Sequence, residues 1–200
     1  MGNRKVYGKI PKMITVTSRT DFLTELAKLL PPKSNGIELG VLHGDFSRMI
    51  LDIVKPDWLV LVDPYIEGEQ RYGADPNAWR TAYSTEAQYK AVQKRFNNEI
   101  FLGKLFIDRG FSYEAVNHYV NRSFSFVYID ACHLYEDVKK DLNDWLPKLK
   151  DENSFMTGHD YINSNGFGVV RAVDEFCEEH NFEMVIFNEI EGDFALARKA

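Results

Sequence analysis

Two hundred residues, 44% hydrophobic and 27% charged with 13 Gly and 7 Pro, match the composition of a globular domain and argue against a disordered or collagen-like chain. A chain of this length buries roughly 70% of the surface its unfolded form exposes, so it needs no covalent staples. Its 24 basic and 30 acidic residues leave a net charge of −6, which argues against a polyanion-binding surface and hence against a nucleic-acid partner.

Both cysteines, Cys132 and Cys177, fall inside apolar segments, which excludes a disulfide scaffold or a cysteine-rich zinc site. The first twelve residues are basic but lack the apolar core of a signal peptide. No stretch approaches the roughly 18 apolar residues of a membrane span. The expected location is a reducing cytoplasm, without a membrane partner.

Ser18-Arg19-Thr20-Asp21 offers helix N-caps, and Phe22, Leu23, Leu26, Leu29 and Leu30 recur at helical spacing until Pro31-Pro32. Residues 1–34 therefore read as an N-terminal helical extension of a single domain spanning 1–200. Gly36 to Val41 predicts a short buried strand ending in a glycine-rich turn. Phe46, Met49, Ile50, Ile53 and Val54 then mark one face of a helix. Asp57 to Pro64 is a nearly continuous apolar strand closed by an acid and a proline.

Residues 66–98 read as an insertion or lid. Its polar part, 66–82, carries Gly68, Gly73 and Pro76, with Tyr72, Trp79 and Tyr83 as aromatics to close over a ligand or pack on the sheet. A helix follows over about Thr85 to Asn97. Leu105 to Ile107 predicts a strand, Ser112 to Ala115 a short helix, and Phe124 to Asp130 another buried strand. Leu134, Val138, Leu142, Trp145, Leu146 and Leu149 trace a long amphipathic helix. Ser154 to Asp160 is the next strand, and Val169, Val170, Val173, Phe176 and Cys177 mark the last helix. Phe182–Phe187 and Phe194–Ala197 close the chain as strands joined through Glu191-Gly192-Asp193.

This alternation predicts an α/β fold with a largely parallel sheet covered on both faces. Right-handed crossovers bring the strands' carboxyl ends to one edge, where ligands of such sheets bind. The first strand ends in Glu38-x-Gly40-x-x-x-Gly44-x-x-Ser47, where two glycines allow a tight turn and a close ligand approach. A plain strand-to-helix turn also favours glycine, and the G-x-G-x-x-G of pyrophosphate binding is absent. Asp63 ends the second strand, where a carboxylate can accept both ribose hydroxyls of a nucleoside. Together, Gly40, Gly44 and Asp63 argue for an adenosyl nucleoside.

Four segments, IELGVLHGDFS, LVLVDPY, FVYIDACHLYEDVKKDLNDWLPKLK and FMTGHDY…GVVRAVDEF, cover most of residues 35–177. In that order they resemble class I S-adenosylmethionine-dependent methyltransferases of the methyltransferase-24 type, within the catechol O-methyltransferase-like group. The resemblance implies a Rossmann-like sandwich with a seven-stranded, mostly parallel sheet and an antiparallel last strand. It implies S-adenosyl-L-methionine as cofactor, with Glu38 and Gly40 flanking the methionine moiety, Asp63 at the ribose and Gly44 among the cofactor-binding residues. Asp108 and Arg109 would lie beside the adenine, and Asp130 would contact the methionine part, a metal or the substrate.

Catechol-type relatives place a lysine general base three residues beyond the Asp130 position. Here that residue is His133, whose imidazole could remove a hydroxyl proton; the alternative is that His133 caps the helix through Leu134. Such relatives bind a divalent cation at positions that here hold Asp130, His159 and Asp160. The His-Asp pair departs from their Asp-Asn or Glu-Asp, and the set suits Mg²⁺ or Mn²⁺ and equally Fe²⁺. The implied acceptor is a small hydroxylated molecule such as a sugar, polyketide or phenol, and a homo-oligomer is compatible with the sequence.

Three rivals share some of these residues. Tyr135-x-x-x-Lys139 has the spacing of a short-chain reductase pair, but it follows the wrong strand. A metal-dependent hydroxylase on the same fold could use Asp130, His159 and Asp160. A non-catalytic nucleoside-binding module would need no base, although intact Glu38, Gly40, Asp63 and Asp130 speak against decay.

Overall fold

In the apolar strands, neighbouring side chains go to opposite faces, and both faces are covered. A computed structural model describes residues 13–66, 85–163 and 166–199. Its elements in chain order are β1 (Ile14–Val16), α1 (Arg19–Leu29), β2 (Asn35–Leu39), α2 (Asp45–Met49), β3 (Trp58–Val62), α3 (Glu86–Arg95), α4 (Asn97–Phe101) and β4 (Leu105–Asp108). They continue with α5 (Ser112–Ala115), β5 (Phe126–Ile129), α6 (Tyr135–Trp145), β6 (Phe155–Gly158), α7 (Val169–His180), β7 (Phe182–Asn188) and β8 (Phe194–Arg198).

Leu59 and Leu61 of β3, with Phe126 and Tyr128 of β5, pack against Phe22, Leu23 and Leu26 of α1 and their neighbours. Val60, Val62, Val127 and Ile129 face the other way, into a core completed by Leu142 and Trp145 of α6 and Phe176 of α7. The near-continuous hydrophobicity of these strands is thus two alternating faces, each with its own helical cover.

The eight strands form one sheet in the order β1-β7-β8-β6-β5-β2-β3-β4. Every pairing is parallel except those of β8 with β6 and β7. The sheet has one strand more than the seven expected, because Ile14–Val16 pairs with Ile186–Asn188 in front of the predicted helix. Three residues are too few for a period of two to declare itself, so this strand is set by its partner. From β2 the chain proceeds outward to β3 and β4, then returns to β5 and β6 on the other side. The strand order therefore reverses between β2 and β5, which opens a crevice at their carboxyl ends.

Local signals account for the helix boundaries. Ser18 caps α1 by accepting the Asp21 N–H, and Thr85 and Gln88 form a capping box on α3. The helix expected over 46–54 is α2 followed by a π-helical turn, Ile50–Val54, that ends at Lys55 in a left-handed conformation (φ 54°). The proposed lid at 66–82 lies, apart from Ile66, outside the described residues. No helix among the described residues is long and apolar enough to cross a membrane.

Candidate active site

The loop after β2 is built around Gly40, which has φ +87° and donates its N–H to Val62 O at 2.9 Å. A Cβ there would stand 1.9 Å from the carbonyl oxygen of Asp130, so the loop passes directly over the end of β5. Gly44 (φ +74°) starts α2 and lies against the Phe96 ring. Gly40→Ala is expected to lower stability by about 3 kcal/mol, combining left-handed strain with a steric clash against backbone. Urea denaturation reads this directly, and a loss under about 1 kcal/mol would show that the loop can shift away from β5.

Asp63 shapes the same loop. Its Oδ2 accepts the N–H groups of Val41 and Leu42, both at 3.0 Å, and its Oδ1 accepts that of Tyr65 at 3.0 Å. The carboxylate that sequence reading assigned to ribose thus ties the β2 loop to the β3 loop. These amide bonds also hold Leu42 at φ 53°, a conformation uncommon for a residue with a side chain. Glu38 is buried in β2 opposite Leu61 and Tyr128 and accepts a hydrogen bond from Ser47 Oγ. Burial pushes its carboxyl up to about 8, against the pull of the Ser47 bond.

At the end of β4 the two expected adenine-side residues diverge. Asp108 turns its carboxylate to the Tyr119 hydroxyl at 2.7 Å and to His118 Nδ1 at 2.8 Å. Arg109 instead closes over the β3 loop, donating to Tyr65 O at 2.6 Å and to Glu86 at 2.7 Å, with its guanidinium 4.8 Å from the Tyr89 ring centre.

The carboxyl ends of β5 and β6 bring Asp130, His133, His159 and Asp160 together. His133 Nε2 lies 2.8 Å from Asp160 Oδ2 and 3.6 Å from Asp130 Oδ1. His159 Nδ1 lies 3.0 Å from Asp160 Oδ2 and 3.9 Å from Asp130 Oδ1. Asp130, His159 and Asp160 each offer one ligand atom within 4.8 Å of the others. His133 Nε2 is buried and has no hydrogen-bond acceptor in line among the described residues, so its contact with Asp160 is a close ion pair rather than an aligned bond. Its ring stacks on Phe167 at 4.7 Å.

Burial disfavours charge on His133, but Asp130 and Asp160 outweigh it and raise the imidazole to about 9. His159 is raised in the same way by Asp160 and Asp130 against burial. Burial alone would raise Asp160; the two imidazoles overcome it and hold that carboxyl well below the usual carboxylate range. Helix α6 is capped at Leu134 with no side-chain bond, so His133 is not the cap that its position allowed. Tyr135 and Lys139, the reductase-like pair, both bond Glu175 in a cluster between α6 and α7. Burial pushes the Cys132 thiol up to about 12, where it is a poor nucleophile.

Two site residues carried no functional signal in the sequence. Arg19, the first residue of α1, donates to Asp193 at 3.2 Å, Tyr128 Oη at 3.0 Å and Asp130 Oδ2 at 3.4 Å, and lies 4.3 Å over the Phe46 ring. Asp193, fully buried in the β7–β8 connection, also accepts the Tyr128 hydroxyl at 2.6 Å and Asn188 Nδ2 at 2.8 Å. Arg19 was legible only as part of a cap, and Asp193 only as part of a turn.

A switch crevice with a glycine loop on β2 and acids ending β3 and β5 is the arrangement of a class I S-adenosylmethionine-dependent methyltransferase domain, of the catechol O-methyltransferase-like type. Residues 37–161 match a family described as a methyltransferase domain, of type 24, and the chain belongs to that family. Among solved structures, the O-methyltransferase NovP superposes with a TM-score of 0.65 at 17% identity, covering 91% of this chain and 80% of that one. An O-methyltransferase from Bacillus cereus, solved with SAH, gives 0.58 at 13% identity, covering 94% and 83%. At these identities the likeness is one of fold. A curated relative, the uncharacterised protein y4gI of Sinorhizobium fredii, is 28% identical over 96 residues, 42% of this chain. The chain spans only 11% of the length of that relative.

Proposed function

We propose that this chain transfers a methyl group from S-adenosyl-L-methionine to a hydroxyl oxygen of a small-molecule acceptor, with His133 receiving the acceptor's proton and a divalent cation assisting at Asp130, His159 and Asp160. The observation that carries the reading is the meeting of His133 with two carboxylates and a second imidazole beside the Gly40 loop. The reading places the chain in a reducing cytoplasm, with Cys132 and Cys177 as free thiols.

When bound, S-adenosylmethionine supplies a methyl group on a sulfonium that is already a good leaving group. Gly40 lets the β2 loop pass close over the end of β5, and Asp63 and Arg109, which tie the loops after β2 and β3, would frame the nucleoside side. Glu38 would face the methionine end. The protein's task is then alignment and exclusion of water, with proton removal where the acceptor is a hydroxyl. His133 Nε2 is the atom in reach of such a proton once its contact with Asp160 is released. A divalent cation held by Asp130, His159 and Asp160 would lower the acceptor hydroxyl's pKa and replace the positive charge that His133 now supplies.

Calorimetric titration with S-adenosylhomocysteine in EDTA tests the cofactor assignment apart from any metal. Binding in the micromolar range is expected, weakened at least about tenfold in Asp63→Ala because the β2 loop loses its tether. Absence of binding to the wild-type chain would sink the methyl-transfer reading.

A further inference from the structure

We infer that the group Asp130, His159 and Asp160 is built for a first-row transition-metal dication such as Mn²⁺, Fe²⁺, Co²⁺ or Zn²⁺ rather than for Mg²⁺. The inference rests on the cation-assisted reading above and adds the chemical class of the ion.

The donor set carries it first. One imidazole nitrogen, His159 Nδ1, and one oxygen from each of two carboxylates converge within 4.8 Å. Mg²⁺ is small and hard, dehydrates reluctantly and is held by oxygen ligands and water. Imidazole favours first-row transition ions, whose affinity for nitrogen sites rises along the series toward copper.

The charge balance points the same way. Arg19 is fixed by Asp193, Tyr128 and the Phe46 ring, and its Nη2 lies 3.4 Å from Asp130 Oδ2. That oxygen is thereby turned out of the centre, and Oδ1 is the one facing His133 and His159 at 3.6 and 3.9 Å. Arg19 pairs with both Asp130 and Asp193, so part of the negative charge beside the centre is already neutralised, which weakens the attraction for an ion that binds mainly through charge. A nitrogen ligand gives a transition ion an advantage that does not depend on that charge.

The test uses the full chain, stripped with EDTA and desalted. Loss of the free Mn²⁺ signal in electron paramagnetic resonance gives stoichiometry and affinity, and added Mg²⁺ gives the competition. The expected result is one Mn²⁺ per chain, bound at least about tenfold more tightly than Mg²⁺, with Zn²⁺ tighter still. In His159→Asp the Mn²⁺-to-Mg²⁺ affinity ratio is expected to fall at least about tenfold. The wild-type competition decides the matter even if the variant folds poorly, which circular dichroism would reveal.

Mg²⁺ binding as tight as Mn²⁺ in the wild type, no Mn²⁺ binding, or an unchanged ratio in a folded His159→Asp would each overturn the inference. S-adenosylhomocysteine titration of the same preparation separates the two readings. Cofactor binding without a metal preference defeats this inference alone, whereas a metal preference without cofactor binding supports it and defeats the methyl-transfer assignment.

Discussion

His133→Ala is expected to slow methyl transfer to a hydroxyl acceptor by about 10²–10⁴-fold, while S-adenosylhomocysteine affinity stays within about twofold of wild type. The separation follows from placement: His133 sits beyond β5 among Asp130, Asp160 and Phe167, whereas Asp63 holds the Gly40 loop through the Val41 and Leu42 amides. Its protonation sets a second signature. Asp130 and Asp160 hold the imidazole near 9 against burial, so at pH 7 it carries a proton and cannot accept another. In EDTA, turnover should therefore rise with pH toward about 9 and level off above it. A divalent cation on the same carboxylates competes with the imidazolium and should move that rise to lower pH. In His133→Ala the rise should vanish. Unchanged turnover in the variant, with the wild-type pH profile intact, would remove His133 from the reaction.

The parts of this site visible in the sequence are those fixed by position along a strand. Asp63 and Asp130 end apolar runs, and an open α/β sheet brings such ends to one edge whatever the rest of the chain does. The spacing from Asp130 to His133 and the adjacency of His159 and Asp160 put two imidazoles and two carboxylates at neighbouring strand ends. What the sequence hides is direction. Asp63 stands where expected, yet its carboxylate is directed to the amides of Val41, Leu42 and Tyr65. Asp108 also stands at its strand end, but its carboxylate is engaged by a hydroxyl and an imidazole from the turn after α5.

Arg19 is the extreme case. Its partners Tyr128, Asp130 and Asp193 are more than one hundred residues away, and no local pattern registers a contact of that span. It and Asp193 lie on either side of the matched segment 37–161. The flanking strand and helix at the N-terminus and the closing hairpin therefore complete the centre rather than merely extend the sheet. One guanidinium joins α1 to the β7–β8 connection and orients the carboxylate at the end of β5. Its desolvation is offset by three oxygen partners and an aromatic face, which is how a largely buried arginine remains charged.

Glu38→Gln is expected to stabilise the fold increasingly as pH rises, by on the order of 5 kcal/mol above pH 8. Unfolded, Glu38 ionises near 4.5; folded, burial raises it to about 8, with the Ser47 bond opposing and Asp130 adding to the shift. Between those values the folded chain holds a proton that the unfolded chain has lost, so wild-type stability falls as pH rises through this window. Glutamine cannot ionise and escapes that fall. Urea denaturation of both proteins at about pH 5, 7 and 8.5 should show a gap that is small at first and widens; a constant gap would mean that Glu38 ionises alike in both states. The same group offers a test of its role. If Glu38 faces the methionine ammonium, bound cofactor supplies the positive charge that makes the buried carboxylate tolerable. S-adenosylhomocysteine binding at pH 7 should then release up to about one proton from wild type and none from Glu38→Gln, read by calorimetry in buffers of different ionisation enthalpy. Equal proton release from both proteins would place the ammonium elsewhere and leave Glu38 as a buried partner of Ser47.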